Sequence, residues 1–254
     1  MTASFISALH RARLTGRLSP LPAGTMEPGD AYVAQAVLFA ERGVPLAGWK
    51  IGLTGEGIRT ALGTDSPAAG RLAQADIVRS PAVVAIGSGE FYVEGELIFE
   101  MGVRLSAAAS PFTPAQVADA VAGLHVGIEL VTSRFESTDL PLGVLIADNC
   151  MADRLLVGDK VARGWEDRFA DMAMTLRGPG DALTRGTTAA VMGNPLLAVT
   201  WLANWLAERG MTLEPGQFVS SGTCTGVTAV APGDHISVDL AGLGGAAVEF
   251  TAGS

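Results

Sequence analysis

Positive charge, histidine and cysteine are scarce in this chain, and long apolar runs are missing. Among 254 residues, 17 are Lys or Arg and 26 are Asp or Glu, for a formal net charge of -9. A surface of that sign does not attract nucleic acid or an anionic membrane. A bound metal or a single buried lysine reverses the sign locally, so small anionic substrates stay open. The three histidines, His10, His125 and His235, and the two cysteines, Cys150 and Cys224, form no CxxC or HxxxH spacing. A structural zinc site is therefore not expected. No stretch approaches the roughly 18 apolar residues of a membrane span. The opening MTASFISALHRARLTGR has too short an apolar part for a signal sequence, and basic residues follow it. A soluble, cytoplasmic protein is expected. There is no GxSxG elbow, no GxxxxGK[ST] phosphate loop and no internal repeat.

What is present suits one substantial globular core, with 48% apolar and 17% charged residues. The first third reads mostly as helix: residues 2–13, then 31–43 with Asp30 as the cap. A strand at 46–53 and a helical turn at 56–62 follow, and the Gly, Pro and Ala-rich residues 63–75 read as a loop. Beyond residue 80 come strand-like pieces: PAVVAI, FYVEGELIFEMG, HVGIELV, LGVLIAD, RLLVG and MAMTL. Thr113-Pro114 and Asn194-Pro195 each start a helix. FVSS, HISVDL and AAVEF return to strand. Strands without regular βαβ alternation predict an α+β fold with a mixed, rolled sheet. Residues 1–75 form a helical N-terminal part, not an independent domain, on a β-rich core of residues 76–254.

YVEGELIFEMG, at 92–102, raises a chemical question. As a strand it sends Val93, Gly95, Leu97 and Phe99 one way and Glu94, Glu96 and Glu100 the other, with Ile98 among them. Like charges two residues apart repel, and no Lys or Arg separates them. Either the face is solvated or a cation sits on it. Two carboxylates at this spacing can ligate one hard divalent ion, and oxygen-only ligation favours Mg or Mn over Zn. Glu129 lies in the apolar strand VGIELVTSRF, where an isolated charge is costly. Its partner is Arg134, another arginine, or the ion held by Glu94 and Glu96. Lys50, in GWKIGLT, either extends its amine to water or serves a substrate carboxylate or a proton transfer. Asp148 and Asn149 cap a turn or face a substrate. Ser221, Thr223 and Thr225 in SSGTCTG offer hydroxyls, and Cys224 reads as a small packed residue.

In order, DAYVAQ, GWKIGLTGEGIRTALGTDSP, VEGELIFEM, GIELVTSRF, IADN, GNPLLAVTWLANWLAERG, SSGTCTG and APGD followed by ISVDLAGLG carry a resemblance. The chain resembles the 2-keto-4-pentenoate hydratase and 4-oxalocrotonate decarboxylase group of the fumarylacetoacetate hydrolase superfamily. The resemblance implies a mixed β-roll, a Mg or Mn ion and a homo-oligomer. It implies a small anionic 2-oxo acid substrate in aromatic catabolism, and partnership with a neighbouring pathway enzyme. By position it makes Glu94, Glu96 and Glu129 metal ligands and Lys50 the active-site lysine. Asp65, Ser221 and Thr223 become catalytic candidates, and Leu53, Asp148 and Asn149 substrate contacts. Glu100 is left to solvent or an ion pair. The implied reaction is hydration of a 2-hydroxy-2,4-dienoate to a 4-hydroxy-2-oxo acid. The alternatives are a decarboxylase, a C–C hydrolase with His125 as base, and a metal-stabilised binding protein without catalysis. The family commonly reads D-x-P-D-(F or Y)-G where this chain reads TDSPAAG. Asp65 is kept, but Ala68 and Ala69 replace the second acid and the aromatic. Likewise SGT stands where SGS is usual.

Overall fold

The computed structural model describes residues 2–253. Two helices open the chain, α1 (Thr2–Thr15) and α2 (Pro28–Ala40). Glu27 holds the cap position of α2, so Asp30 lies in the first turn and not at the cap. The fixed φ of Pro28 suits a first helical position, and the acid complements the positive end of the helix dipole. Next come β1 (Leu46–Gly52), α3 (Glu56–Ala61), β2 (Ala68–Ala73), β3 (Ile77–Arg79), β4 (Ala82–Ile86) and β5 (Phe91–Met101). The middle holds α4 (Pro114–Asp119), β6 (Val121–Thr132), α5 (Leu142–Ala147) and β7 (Ala152–Ala162). The chain ends with β8 (Ala173–Arg177), β9 (Leu183–Thr187), α6 (Pro195–Ala207), β10 (Phe218–Val230), β11 (His235–Leu240) and β12 (Gly245–Ala252). Among the described residues no helix is long and apolar enough to cross a membrane.

The strands form two mixed sheets, as an α+β roll requires. One has seven strands in the order β2-β1-β10-β5-β6-β7-β3, and the other five in the order β4-β12-β11-β8-β9. Both β1 and β2 lie within the first 75 residues, so the N-terminal part is woven into the larger sheet. The alternation along β5 decides which face meets which layer. Val93, Leu97 and Phe99 pack in one cluster with Leu176, Val238 and Phe250 of the smaller sheet. The glutamate face therefore points away from the sheet-on-sheet core. On that side α1, α2 and α5 gather around Phe5, Leu9, Leu38 and Val144 in a second cluster. Trp205 of α6 meets Tyr32 of α2 at 4.7 Å and Trp49 of β1 at 6.3 Å between ring centroids, joining helix layer to sheet.

Two further expectations are corrected. Residues 68–73 form β2 within the stretch expected to be loop, and all six are buried. Asn149 secures this short strand: its Oδ1 accepts from the Arg71 N–H at 2.7 Å and its Nδ2 donates to the Arg71 carbonyl at 2.8 Å. Residues 142–147 form α5 and not a strand, with Gly143, Val144, Ile146 and Ala147 buried. A short apolar run buried on most sides shows neither period, so pattern does not separate helix from strand.

Candidate metal centre and active site

The site is assembled across four neighbouring strands. Glu94 of β5 pairs directly opposite Glu129 of β6 in the antiparallel register, and Glu96 follows two residues along β5. Cross-strand partners share a face at close range. One oxygen from each of Glu94, Glu96 and Glu129 lies within 4.8 Å of the others. From β10, Ser220 donates its hydroxyl to Glu96 Oε2 at 2.5 Å, and the Gly222 N–H donates to the same oxygen at 2.8 Å. Ser220 stands opposite Lys50 of β1. Lys50 Nζ reaches Glu129 Oε1 at 3.2 Å. Three strand spacings separate β1 from β6, about 14 Å in a flat sheet. The contact therefore reports a curled sheet whose concave face draws the two side chains together.

Lys50 is held from a second direction. Its Nζ donates to the Cys150 carbonyl at 3.0 Å. That carbonyl lies in a left-handed run, Asn149, Cys150 and Met151, with φ of 57°, 52° and 61°. Three successive non-glycine residues in this region are strained backbone held by its surroundings. The Asn149 clamp on Arg71 and the burial of Cys150 supply that restraint.

The electrostatics are unbalanced. Glu96 and Glu129 are fully buried. Glu96 Oε1 and both Glu129 oxygens accept no hydrogen bond, which leaves Glu129 with its ion pair to Lys50. Burial, with repulsion from Glu94, pushes Glu129 from its ordinary 4.5 up to about 7, against the pull of Lys50. Burial and the neighbouring Glu129 and Glu94 push Glu96 well above the usual carboxylate range. For Lys50 burial favours the neutral amine, but Glu129 and Glu94 outweigh it and raise the group above its ordinary value. One lysine thus faces three acids. Buried acceptors without donors, all oxygen and converging on one point, fit a hard divalent cation.

Beside the carboxylates opens a cavity of about 720 Å³, lined by Lys50, Glu94, Leu53 and Thr223. Those four of the expected residues come together here. The Thr223 hydroxyl donates to the Gly226 carbonyl at 3.0 Å. Asp65 does not join them: it is exposed between α3 and β2 and does not line the cavity. Ser221 is buried with its hydroxyl unpartnered, outside the lining. Asp148 is buried and accepts from the Arg134 N–H at 2.9 Å, with the Arg134 Nε at 3.6 Å. Asn149 is occupied by Arg71. Both side chains fix the turn that presents Cys150. Arg134 thus pairs with Asp148 and not with Glu129. Glu100 forms its ion pair with Lys160 at 3.0 Å, and His125 lies 3.3 Å from the same carboxylate. His125 shares the strand face of Glu129 but lies about 13 Å along it, with Ile98 pairing opposite.

Ser220, the Gly222 N–H and the Cys150 carbonyl escaped the sequence reading. Ser220 stood in the quoted SSGTCTG segment, where strand alternation relative to the carboxylates would have singled it out. Backbone groups leave no mark in a residue pattern.

A family model described as "Fumarylacetoacetate (FAA) hydrolase C-terminal" matches residues 66–251. The chain belongs to the fumarylacetoacetate hydrolase family. Within this family of enzymes it is 31% identical to a 4-oxalocrotonate decarboxylase of Pseudomonas putida, over 87% of this chain and 84% of that one. It is also 31% identical to a 2-keto-4-pentenoate hydratase of Burkholderia vietnamiensis, over 98% and 97%. Among solved structures, 4-oxalocrotonate decarboxylase from Pseudomonas putida G7, complexed with magnesium and adipate, superposes with a TM-score of 0.88. It is 27% identical, over 98% of this chain and 97% of that one. The β-roll expected from the sequence is thus the fold of this fumarylacetoacetate hydrolase relative.

Proposed function

We propose that this protein is a divalent-metal-dependent hydratase that converts a 2-hydroxy-2,4-dienoate into a 4-hydroxy-2-oxo acid during aromatic catabolism. The observation that carries the reading is the convergence of Glu94, Glu96 and Glu129 beside a lysine on the wall of an open cavity. The chain aligns over nearly its whole length with a 2-keto-4-pentenoate hydratase, and it superposes on a decarboxylase complexed with magnesium.

Glu94, Glu96 and Glu129 would hold Mg or Mn. A bound ion supplies a Lewis acid for the C1 carboxylate and C2 oxygen of the substrate. Glu96 is pre-aimed, since Ser220 and the Gly222 N–H fix one oxygen and leave Oε1 free. In the metal-free chain Glu129 and Glu94 favour the charged form of Lys50, so it would serve as a positive charge and hydrogen-bond donor. Its Nζ would offset the negative charge that gathers on the C2 oxygen as the dienol ketonises, and preorganised charge there is worth most. In that step the hydroxyl proton leaves O2 and a proton arrives at C5. Water then adds across C3 and C4, its oxygen to C4 and its hydrogen to C3. Residues 68 and 69, both buried alanines in β2, contribute no acid to either transfer.

Decarboxylation of 4-oxalocrotonate is the second reading, favoured by the close superposition with the magnesium-bound decarboxylase. Mass analysis separates the two. Hydration adds one water to 2-hydroxypenta-2,4-dienoate, whereas a decarboxylase releases carbon dioxide from 4-oxalocrotonate and leaves the five-carbon dienoate unhydrated. The second outcome would replace the hydratase reading. A cytoplasmic homo-oligomer belongs to the same proposal. Val33 and Val37 leave apolar surface exposed on α2, which a second copy would cover. A monomer by light scattering would contradict it.

A further inference from the structure

The cavity is larger and more apolar than the reacting atoms require. If every heavy atom is granted a whole water's share, about 30 Å³, the eight heavy atoms of 2-hydroxypenta-2,4-dienoate fill about a third of its 720 Å³. Lys50 and Glu94 mark the end where the 2-oxo acid group would sit. Much of the remaining wall is hydrocarbon: Leu53, Ile58 and Leu62 from the β1–α3 side, and Leu140, Leu145 and Met151 from the α5 side.

Apart from Lys50, charge along this wall is negative. Among the described lining residues Lys50 is the sole cation, and Glu129 and the Cys150 carbonyl already engage it. Arg59 of α3 lies outside the lining, with its Nη1 turned to the Leu53 and Thr54 carbonyls at 3.0 and 2.8 Å. Asp139 adds a further acid to the lining. A second carboxylate at the far end of a substrate would enter an apolar wall with no counter-charge, which is strongly disfavoured. An alkyl or aryl group there would instead cover Ile58 and Val227, which are 47% and 63% exposed and lie on the lining. Burial of such surface is favourable.

Resting on the hydratase reading, we propose that the substrate is a 2-hydroxy-2,4-dienoate carrying an uncharged apolar substituent, longer than methyl, on its distal carbon. The substituent takes no part in bond making. It seats against Leu62 and Leu140 while water adds at the neighbouring carbon as before.

The test compares kcat/KM of the magnesium-loaded protein on dienoates whose distal carbon bears hydrogen, methyl, propyl, pentyl or a carboxylate-bearing arm. Each added methylene is expected to raise kcat/KM about three- to fourfold, mainly through KM. The carboxylate-bearing substrate falls about tenfold or more below the methyl one. Leu62→Arg, which puts a counter-charge on the wall, is expected to narrow the gap between the pentyl and carboxylate-bearing substrates by about fivefold or more. Turnover with a flat series, or with the carboxylate preferred, overturns the proposal and leaves hydration standing. No turnover of any dienoate overturns the hydratase reading and the proposal with it. Calorimetry with unreactive 2-oxo acids reads the same preference without catalysis: 2-oxononanoate binds more tightly than 2-oxopentanoate, and 2-oxoadipate most weakly. Equal affinities would contradict the apolar end.

Discussion

Glu96 concentrates the physics of the centre in one side chain. It is fully buried, its Oε2 is fixed by two donors from β10, and its Oε1 has none. Glu96→Gln keeps the shape and removes the charge, so divalent-ion affinity and turnover should each fall about 100-fold or more. Calorimetric titration with magnesium, beside an unchanged circular dichroism spectrum, checks this. Ser220→Ala tests the support and not the ligand. Loss of a group that orients a ligand typically costs about 10–100-fold in ion affinity, so Ser220→Ala should fall between the parent and Glu96→Gln. Lys50 has the opposite role, as the one charge that offsets Glu129. Lys50→Met leaves that carboxylate without a counter-charge and should cost about 3–5 kcal/mol of stability in the metal-free protein. Thermal unfolding with and without magnesium measures the loss, and magnesium should restore part of it.

Strand β2 shows how an element positions chemistry it does not perform. A Cβ added at Gly70 would lie 2.6 Å from the Asn149 carbonyl and 2.9 Å from Lys50 Cγ. The strand can press against the Lys50 stem only because that position is bare. Gly70→Ala should therefore destabilise the protein by about 1–3 kcal/mol and lower kcat through a displaced Lys50, measurable by urea unfolding and steady-state kinetics. Gly222 is tighter still: at φ +111° it places its N–H on Glu96, and a Cβ there would collide with the Thr54 side chain. Elements of this kind were hard to read in advance. β5 and β6 were legible because alternation and misplaced acids both mark a strand face. β2 was not, because AAGRLA is small and wholly buried, and the signal that makes it a strand is Asn149, nearly eighty residues away. Likewise Asp148 and Asn149 were recognised as special, but their partners, Arg134 and Arg71, decide that they build the turn under Lys50. Sequence spacing singled out the carboxylates that converge along the strands. It could not report the curl that brings the Lys50 and Glu129 side chains together across three strand spacings.

For the whole molecule the carboxylates couple folding, protons and metal. Glu129 is raised from 4.5 to about 7 in the folded chain, so the folded state binds the extra proton. Metal-free stability should therefore fall as pH rises from about 4.5 to 7, and level off above that as far as this group is concerned. A divalent ion must displace the same proton. Its stabilising effect should grow over that interval and its binding should release protons near neutrality. Melting temperatures with EDTA and with magnesium, taken across pH 5 to 8, test both signs; a magnesium effect that shrinks with rising pH would contradict the assignment. The most direct test of the central claim follows the ultraviolet absorbance of 2-hydroxypenta-2,4-dienoate with EDTA-stripped protein, before and after magnesium is restored, beside Glu96→Gln. The account predicts that the diene absorbance persists until magnesium is added, then decays with gain of one water, and that Glu96→Gln stays inactive. Decay in EDTA, or equal rates for Glu96→Gln and the parent, would contradict it.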